Sequence, residues 1–341
     1  MNLRLTNKHL TFSAAATLLV AALTACGGGG GGGDSDDPSI VYDGNRSAAV
    51  VDTGNAAELS KSAYAGGDDG AETGFETTGA VFESLATRNV AGSSNKTPAS
   101  RTQVIALFAK STMQSLIAGD ATRSLARAPV TESDSFSGNC GGSASFTVTS
   151  DDETGEFSGQ FRFDDFCEDN ETVDGTFSFA AAVDIQTSEW EFSMDFGRLS
   201  IDDGIDSFTL SGDLSMSIDE SFTHMVFQMN LVLRDNNTGE TAWVNNLNMV
   251  MEDGAGYFDA TVSGRYYDHE LGYVDITTET PLRTFDGDEW PSSGSFVIEG
   301  ANGGKARVTA LSETTFQLEV DADGDNDYES LETLPWESIE T

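Results

Sequence analysis

The densest run of metal-capable side chains is DADGDNDYESLE, at positions 321–332. It places Asp321, Asp323, Asp325, Asp327, Glu329 and Glu332 at loop positions 1, 3, 5, 7, 9 and 12. All six are hard oxygen donors, and a calcium-binding loop spaces its ligands in this way. The segment is a candidate Ca²⁺ site, and no other cofactor is expected. The competing reading is a β-hairpin with an acidic turn, because TTFQLEVDA just ahead of it alternates like a strand.

The match to an EF-hand is incomplete. Asn326 stands at position 6, where that loop needs glycine, although asparagine tolerates the left-handed conformation. No helical pattern flanks the segment. Other chemistry is sparse. His224 and His269 have neither a second histidine at helical spacing nor a nearby cysteine. There is no G-x-S-x-G motif. GANGGKA at 300–306 is one residue short of a phosphate-binding loop and ends in Ala306, where a magnesium-binding hydroxyl belongs; Asn302-Gly303 instead reads as a hairpin turn. A non-enzymatic protein is expected.

Cys140 and Cys167 offer a covalent feature. SASFTVTS (143–150) and EFSGQFRF (156–163) flank the turn signal DDETG. Folding that hairpin about its midpoint pairs Phe146 with Phe161, Ala144 with Phe163 and Cys140 with Cys167, all on one face because the side-chain period is two. A disulfide is expected, with two free thiols as the alternative.

The elements that must position these residues are mostly strands. From about residue 140 the apolar period is two. Trp190, Phe192, Met194 and Phe196 share one face; so do Leu214, Met216 and Ile218, then Met225, Phe227, Met229 and Leu231, then Leu247, Met249 and Met251. The opposite faces carry Ser, Thr, Asn, Asp and Glu, and turn signals such as DNNTGE, EDGAG and DHELG recur. The expected fold is mainly β: an antiparallel meander of about twelve strands, barrel-like or a sandwich, behind a short N-terminal helical segment. In that segment Asn55 and Glu58 have capping-box spacing, and RTQVIALFAKSTMQSLIAGD (101–120) has helical periodicity, so that a helix at 101–118 could cover the dry face.

That dry face is rich in methionine. Trp190, Met194, Met216, Met225, Phe227, Met229, Met249 and Met251 form a candidate lining for a lipid or other hydrophobic ligand, because methionine adapts to irregular shapes. The alternative is a packed core. The chain has 57 acidic against 17 basic residues and a formal charge of −40. Such a balance excludes nucleic acid as a charge-driven partner.

The N-terminus has its own pattern. Arg4 and Lys8 precede the uncharged run LTFSAAATLLVAALTA, which ends in Leu23-Thr24-Ala25-Cys26 and is followed by seven glycines and DSDDP. This resembles the signal peptide and lipobox of bacterial lipoproteins. The resemblance implies cleavage before Cys26, acylation of Cys26 and attachment to a membrane through that lipid, with several acyl chains anchoring where one would not. Gly27 stands where aspartate would mark inner-membrane retention, so the resemblance implies the outer membrane, facing the periplasm or the cell exterior. The expected divisions are a signal peptide at 1–25, a lipidated tether at 26–38, a helical or irregular segment at 39–130 and the β domain at 131–341. SGRYYDHELGYVDITTETPL and PSSGSFVIEGANGGKARVTAL, in roughly the last third, resemble uncharacterised exported lipoproteins of marine proteobacteria, which imply no particular activity.

Overall fold

A computed structural model of the chain describes residues 39–64 and 130–339, apart from 152–155, 169–170, 184–188, 203, 205–206, 220, 222, 287 and 289. Cys26, its tether and the apolar stretch at 101–118 lie outside the described residues.

The protein is built on one antiparallel sheet of fourteen strands, each paired with its neighbours in sequence. The first seven are β1 (Val130–Ser137), β2 (Gly141–Asp151), β3 (Glu156–Glu168), β4 (Glu171–Val183), β5 (Trp190–Asp202), β6 (Ser207–Ile218) and β7 (His224–Asp235). The rest are β8 (Thr241–Gly254), β9 (Tyr257–Asp268), β10 (Gly272–Phe285), β11 (Ser293–Glu299), β12 (Lys305–Ser312), β13 (Thr315–Asp321) and β14 (Ser330–Pro335). The mainly β meander expected from the alternation is what forms, with two finer corrections. Among the described residues there are fourteen strands rather than about twelve, one of them, the polar edge strand β1, lying upstream of residue 140. The sheet is also continuous rather than divided into the two layers of a sandwich, and among the described residues no ladder closes β1 onto β14 as in a barrel.

The core lies on the dry face. Phe161, Phe177 and Phe196 on β3, β4 and β5 are buried to within 2 % of full burial, with ring centroids 4.8 and 5.9 Å apart in succession. Each buried phenylalanine contributes about 1.5–3 kcal/mol. The alternation is reset at bulges, where one inserted residue switches the buried parity. Phe163 and Phe166 are both buried because Asp165 intervenes at φ 47°. Val244 and Leu247 are both buried because Asn246 intervenes at φ 49°. Gly175, at φ 121°, lies against the neighbouring strand so closely that a Cβ there would meet the Arg198 carbonyl oxygen at 1.9 Å. Such kinks curve a sheet that would otherwise stay flat.

Residues 39–64 form a strap that runs over the sheet from β6 toward the C-terminal strands. The Ile40 amide donates to Ser211 Oγ at 3.0 Å, and Thr241 Oγ1 donates to Asp43 Oδ1 at 2.7 Å, so this part lies on the polar face. A parallel bridge then joins Ala48 to Tyr273 beyond the end of β11. Past it, Ala49, Val51, Leu59 and Ala63 are buried in the dry-face core. A helix, α1 (56–64), ends this stretch, and Tyr64 packs against Trp290, Phe296 and Trp336. The helix is capped three residues earlier than Asn55 and Glu58 suggest. Asp52 Oδ1 accepts from the Asn55 amide at 3.2 Å, while Asn55 Oδ1 accepts from the Asp52 amide at 2.9 Å. That reciprocal pair is a capping box in which asparagine takes the role usual for glutamate.

Candidate metal-binding loop

The acidic segment is the turn between β13 and β14. Strands flank it on both sides, as the hairpin reading expects. Asp321, the last residue of β13, is fully buried, and its carboxylate organises the turn. Asp321 Oδ1 accepts from the Gly324 amide at 2.8 Å, and Oδ2 accepts from the Asn326 amide at 2.9 Å. Glu329 Oε2 reaches back to accept from the Ala322 amide at 3.0 Å. Asn326 adopts φ 69°, the conformation that glycine supplies in an EF-hand, and its Oδ1 accepts from Lys305 Nζ at 3.0 Å.

These bonds gather carboxylates. Asp321, Asp323, Asp325 and Glu329 each present an oxygen, and the four oxygens lie within 4.8 Å of one another. Calcium takes oxygen ligands at about 2.3–2.6 Å, so opposite ligands stand about 5 Å apart and the grouping matches that size. The donor set is all oxygen, which suits calcium, magnesium or manganese rather than zinc or copper. Asp327 and Glu332 do not join the group. The Asp327 amide instead donates to Asp325 Oδ1 at 2.7 Å, and Glu332 sits within β14 opposite Leu318. Four of the six residues in the spacing pattern therefore converge.

The other singled-out residues are dispersed. Cys140 and Cys167 form a disulfide with Cα atoms 5.1 Å apart. The expected register of its hairpin holds, with Phe146 opposite Phe161 and Ala144 opposite Phe163, but it slips at a bulge and puts Gly141 opposite Cys167. Cys140 lies just past the ladder, its amide donating to the Cys167 carbonyl at 3.2 Å. On the dry face, Met194, Met216, Phe227, Met229 and Met249 are buried, and Met225 and Met251 are partly buried against them. Trp190 opens β5, paired with Val183 and Ile218. His224 Nδ1 lies 3.2 Å from Glu252 on the surface, and His269 Nδ1 accepts from the Thr241 amide at 3.2 Å.

Three arginine sites escaped the sequence pattern. Arg265 clasps Asp275 through two N–H donors at 2.7 and 2.9 Å and lies 3.8 Å above the Tyr273 ring. Arg283 holds Asp259 with both bonds at 2.7 Å, over Tyr257. Arg307 bonds Glu279 at 2.8 Å, over Tyr328. The bond from Arg283 holds the Asp259 carboxyl below the usual carboxylate range. Bidentate geometry over an aromatic face favours arginine over lysine, but the partners come from strands that sequence spacing does not link.

Comparison with protein-family models, curated proteins and solved structures finds no match to this chain.

Proposed function

We propose that this chain is a non-enzymatic bacterial lipoprotein, anchored at the outer membrane through Cys26, whose β domain is a calcium-binding surface or adhesion module. The lipobox carries the anchoring half of this reading. The convergence of Asp321, Asp323, Asp325 and Glu329 within 4.8 Å carries the calcium half. Four negative charges held that close repel one another, and a divalent cation relieves the repulsion. The ion would tie the start of the turn to its end, because Asp321 and Glu329 bracket the intervening residues. The affinity belongs in the range of extracellular modules, about 10⁻⁴–10⁻³ M.

The test is thermal unfolding with and without calcium. Calcium should raise the melting temperature of the wild-type protein and have a much smaller effect on Asp323→Ala/Asp325→Ala. Equal shifts would reduce the effect to charge screening and sink the calcium half. The anchoring half is tested by Cys26→Ala, which should leave unprocessed precursor; a normally processed, water-soluble product would refute it.

A second reading, a carrier of lipid or another apolar ligand, draws on the methionine rows. Met216 pairs with Phe227, which pairs with Met249, and Met229 pairs with Leu247 in the adjoining row. Protein purified without detergent should then release a stoichiometric lipid on denaturation. Met229→Trp should block lipid uptake and leave the fold intact. A destabilised Met229→Trp protein with no released ligand would mark a packed core.

A further inference from the structure

The strap and the sheet meet at a histidine. His269 follows β9, in the turn to β10. Strap residues 43–45 lie over its backbone. The Asn45 amide donates to the His269 carbonyl oxygen at 2.8 Å, and a Cβ on Gly44 would meet the His269 Cα at 2.7 Å. The ring belongs to the same junction. Its Nδ1 accepts from the Thr241 amide at 3.2 Å, lies 3.4 Å from Thr241 Oγ1 and stands 3.8 Å from Asp43 Oδ1. Thr241 Oγ1 donates to Asp43 Oδ1 and accepts from the Asp43 amide at 3.3 Å. One ring nitrogen thus faces an N–H of β8 and a carboxylate of the strap at once.

We propose that this junction is a pH-sensitive clasp, in which protonation of His269 moves the bond of Nδ1 from β8 to the strap. A ring nitrogen that carries a proton cannot accept from the Thr241 amide, so that bond is lost. The same N–H, on a ring now positive, is drawn to Asp43 Oδ1. The surrounding charges favour the exchange. Asp43 stays ionised, because its bond from Thr241 holds the carboxyl below the usual carboxylate range. Asp268 and Glu270 flank His269 in the chain, and Glu240 precedes Thr241. Asp268 Oδ1 is already engaged, accepting from the Glu270 and Leu271 amides at 2.9 and 2.8 Å. Arg234, opposite Thr241 in the ladder, and Arg46 on the strap are the nearby cations. Arg46 donates to the Tyr42 carbonyl at 2.8 Å, and Tyr42 itself is a neutral phenol until far above neutral pH. Through the strap, residues 1–38 join the sheet, so acidification firms the point at which that arm is attached.

Hydrogen exchange at about pH 5 and about pH 8, the interval in which histidines change charge, tests this when read residue by residue and corrected for the intrinsic pH dependence of exchange. On acidification the Thr241 amide should lose protection by about threefold, and the Asn45 amide should gain about threefold, the scale of a part-exposed ion pair. His269→Asn keeps an acceptor near the position of Nδ1 and cannot be charged, so both changes should vanish. Asp43→Asn should keep the loss at Thr241 and abolish the gain at Asn45. His224→Gln, on the surface beside Glu252, should alter neither. Circular dichroism checks that each variant is folded. Thr241 protection that does not change with pH in the wild-type protein, or a wild-type response in folded His269→Asn, would overturn the proposal.

Discussion

The backbone amide of Asn326 donates to Oδ2 of Asp321 at 2.9 Å, and this bond sets the shape of the acidic turn. Asp321 differs from its acidic neighbours in being fully buried and in accepting from two backbone amides of the turn. Asp321→Ala leaves the Gly324 and Asn326 amides without their acceptor and should cost about 1–3 kcal/mol even in a chelator. Asp323→Ala and Asp325→Ala should change stability in chelator by less than about 0.5 kcal/mol, because exposed sites tolerate truncation. Urea unfolding of the three variants in EDTA makes the comparison.

Asn326 itself holds φ 69°. Asn326→Gly should retain the turn and any calcium response. Asn326→Val should destabilise by about 1–3 kcal/mol, the usual cost of forcing an unsuited residue into that region. Equal stability of the two variants would show that the turn does not depend on this conformation.

The disulfide closes a 27-residue separation. Its removal by Cys140→Ser/Cys167→Ser should cost about 3–4 kcal/mol on the chain-entropy model. Peptide mapping of the native protein without reductant should yield one linked pair, and urea unfolding of the double variant gives the magnitude.

Tyr42 joins the strap to the sheet. Its hydroxyl lies 2.7 Å from the Asp268 carbonyl oxygen and 2.8 Å from that of Asn45, to either of which it donates. Burial, helped by the nearby Asp268 charge, pushes its ionisation up to about 12. The folded state therefore favours the neutral phenol. That contribution is fully present below the ordinary tyrosine value of about 10, and it is lost as pH rises through about 12. Tyr42→Phe should cost about 1 kcal/mol at neutral pH and should flatten the decline above about pH 10. Denaturant unfolding across that range measures both effects.

Asp259 behaves in the opposite sense. Its bond to Arg283 lowers its ionisation in the folded protein. The pair's contribution is present above the unfolded carboxylate value of about 3.9 and is lost as pH falls through the lower folded value. Arg283→Met should change stability at neutral pH only slightly, since the pair is solvated, and should bring the Asp259 titration back toward the ordinary range. Carboxyl NMR follows that shift, and an unmoved titration would count against the bond.

Much of this molecule is legible in local patterns. The apolar period of two names the buried face of nearly every strand, because each residue's side depends only on its neighbours along the chain. The turn signals name the hairpins, and since every strand pairs with the next, the meander needs no long-range choice. Phe146 opposite Phe161 follows from the hairpin midpoint, and the clustered carboxylates of the acidic turn lie within one short segment.

Tertiary structure decided the rest. A bulge resets the period without warning, so Phe166 and Val244 break the parity of Phe163 and Leu247 while still facing the core. Asp52 rather than Asn55 caps the first helix, directly after Val51, which is buried in the core. Glu332 drops out of the acidic cluster because its strand pairs with β13 and carries it past the turn. Tyr42 meets Asp268, 226 residues away, and Arg307 meets Glu279 across β12 and β10, because these contacts exist only once the sheet has assembled. Sequence spacing records what the backbone does within a few residues. The pairing order and register of the fourteen-stranded sheet determine which distant side chains share a clasp or a cap.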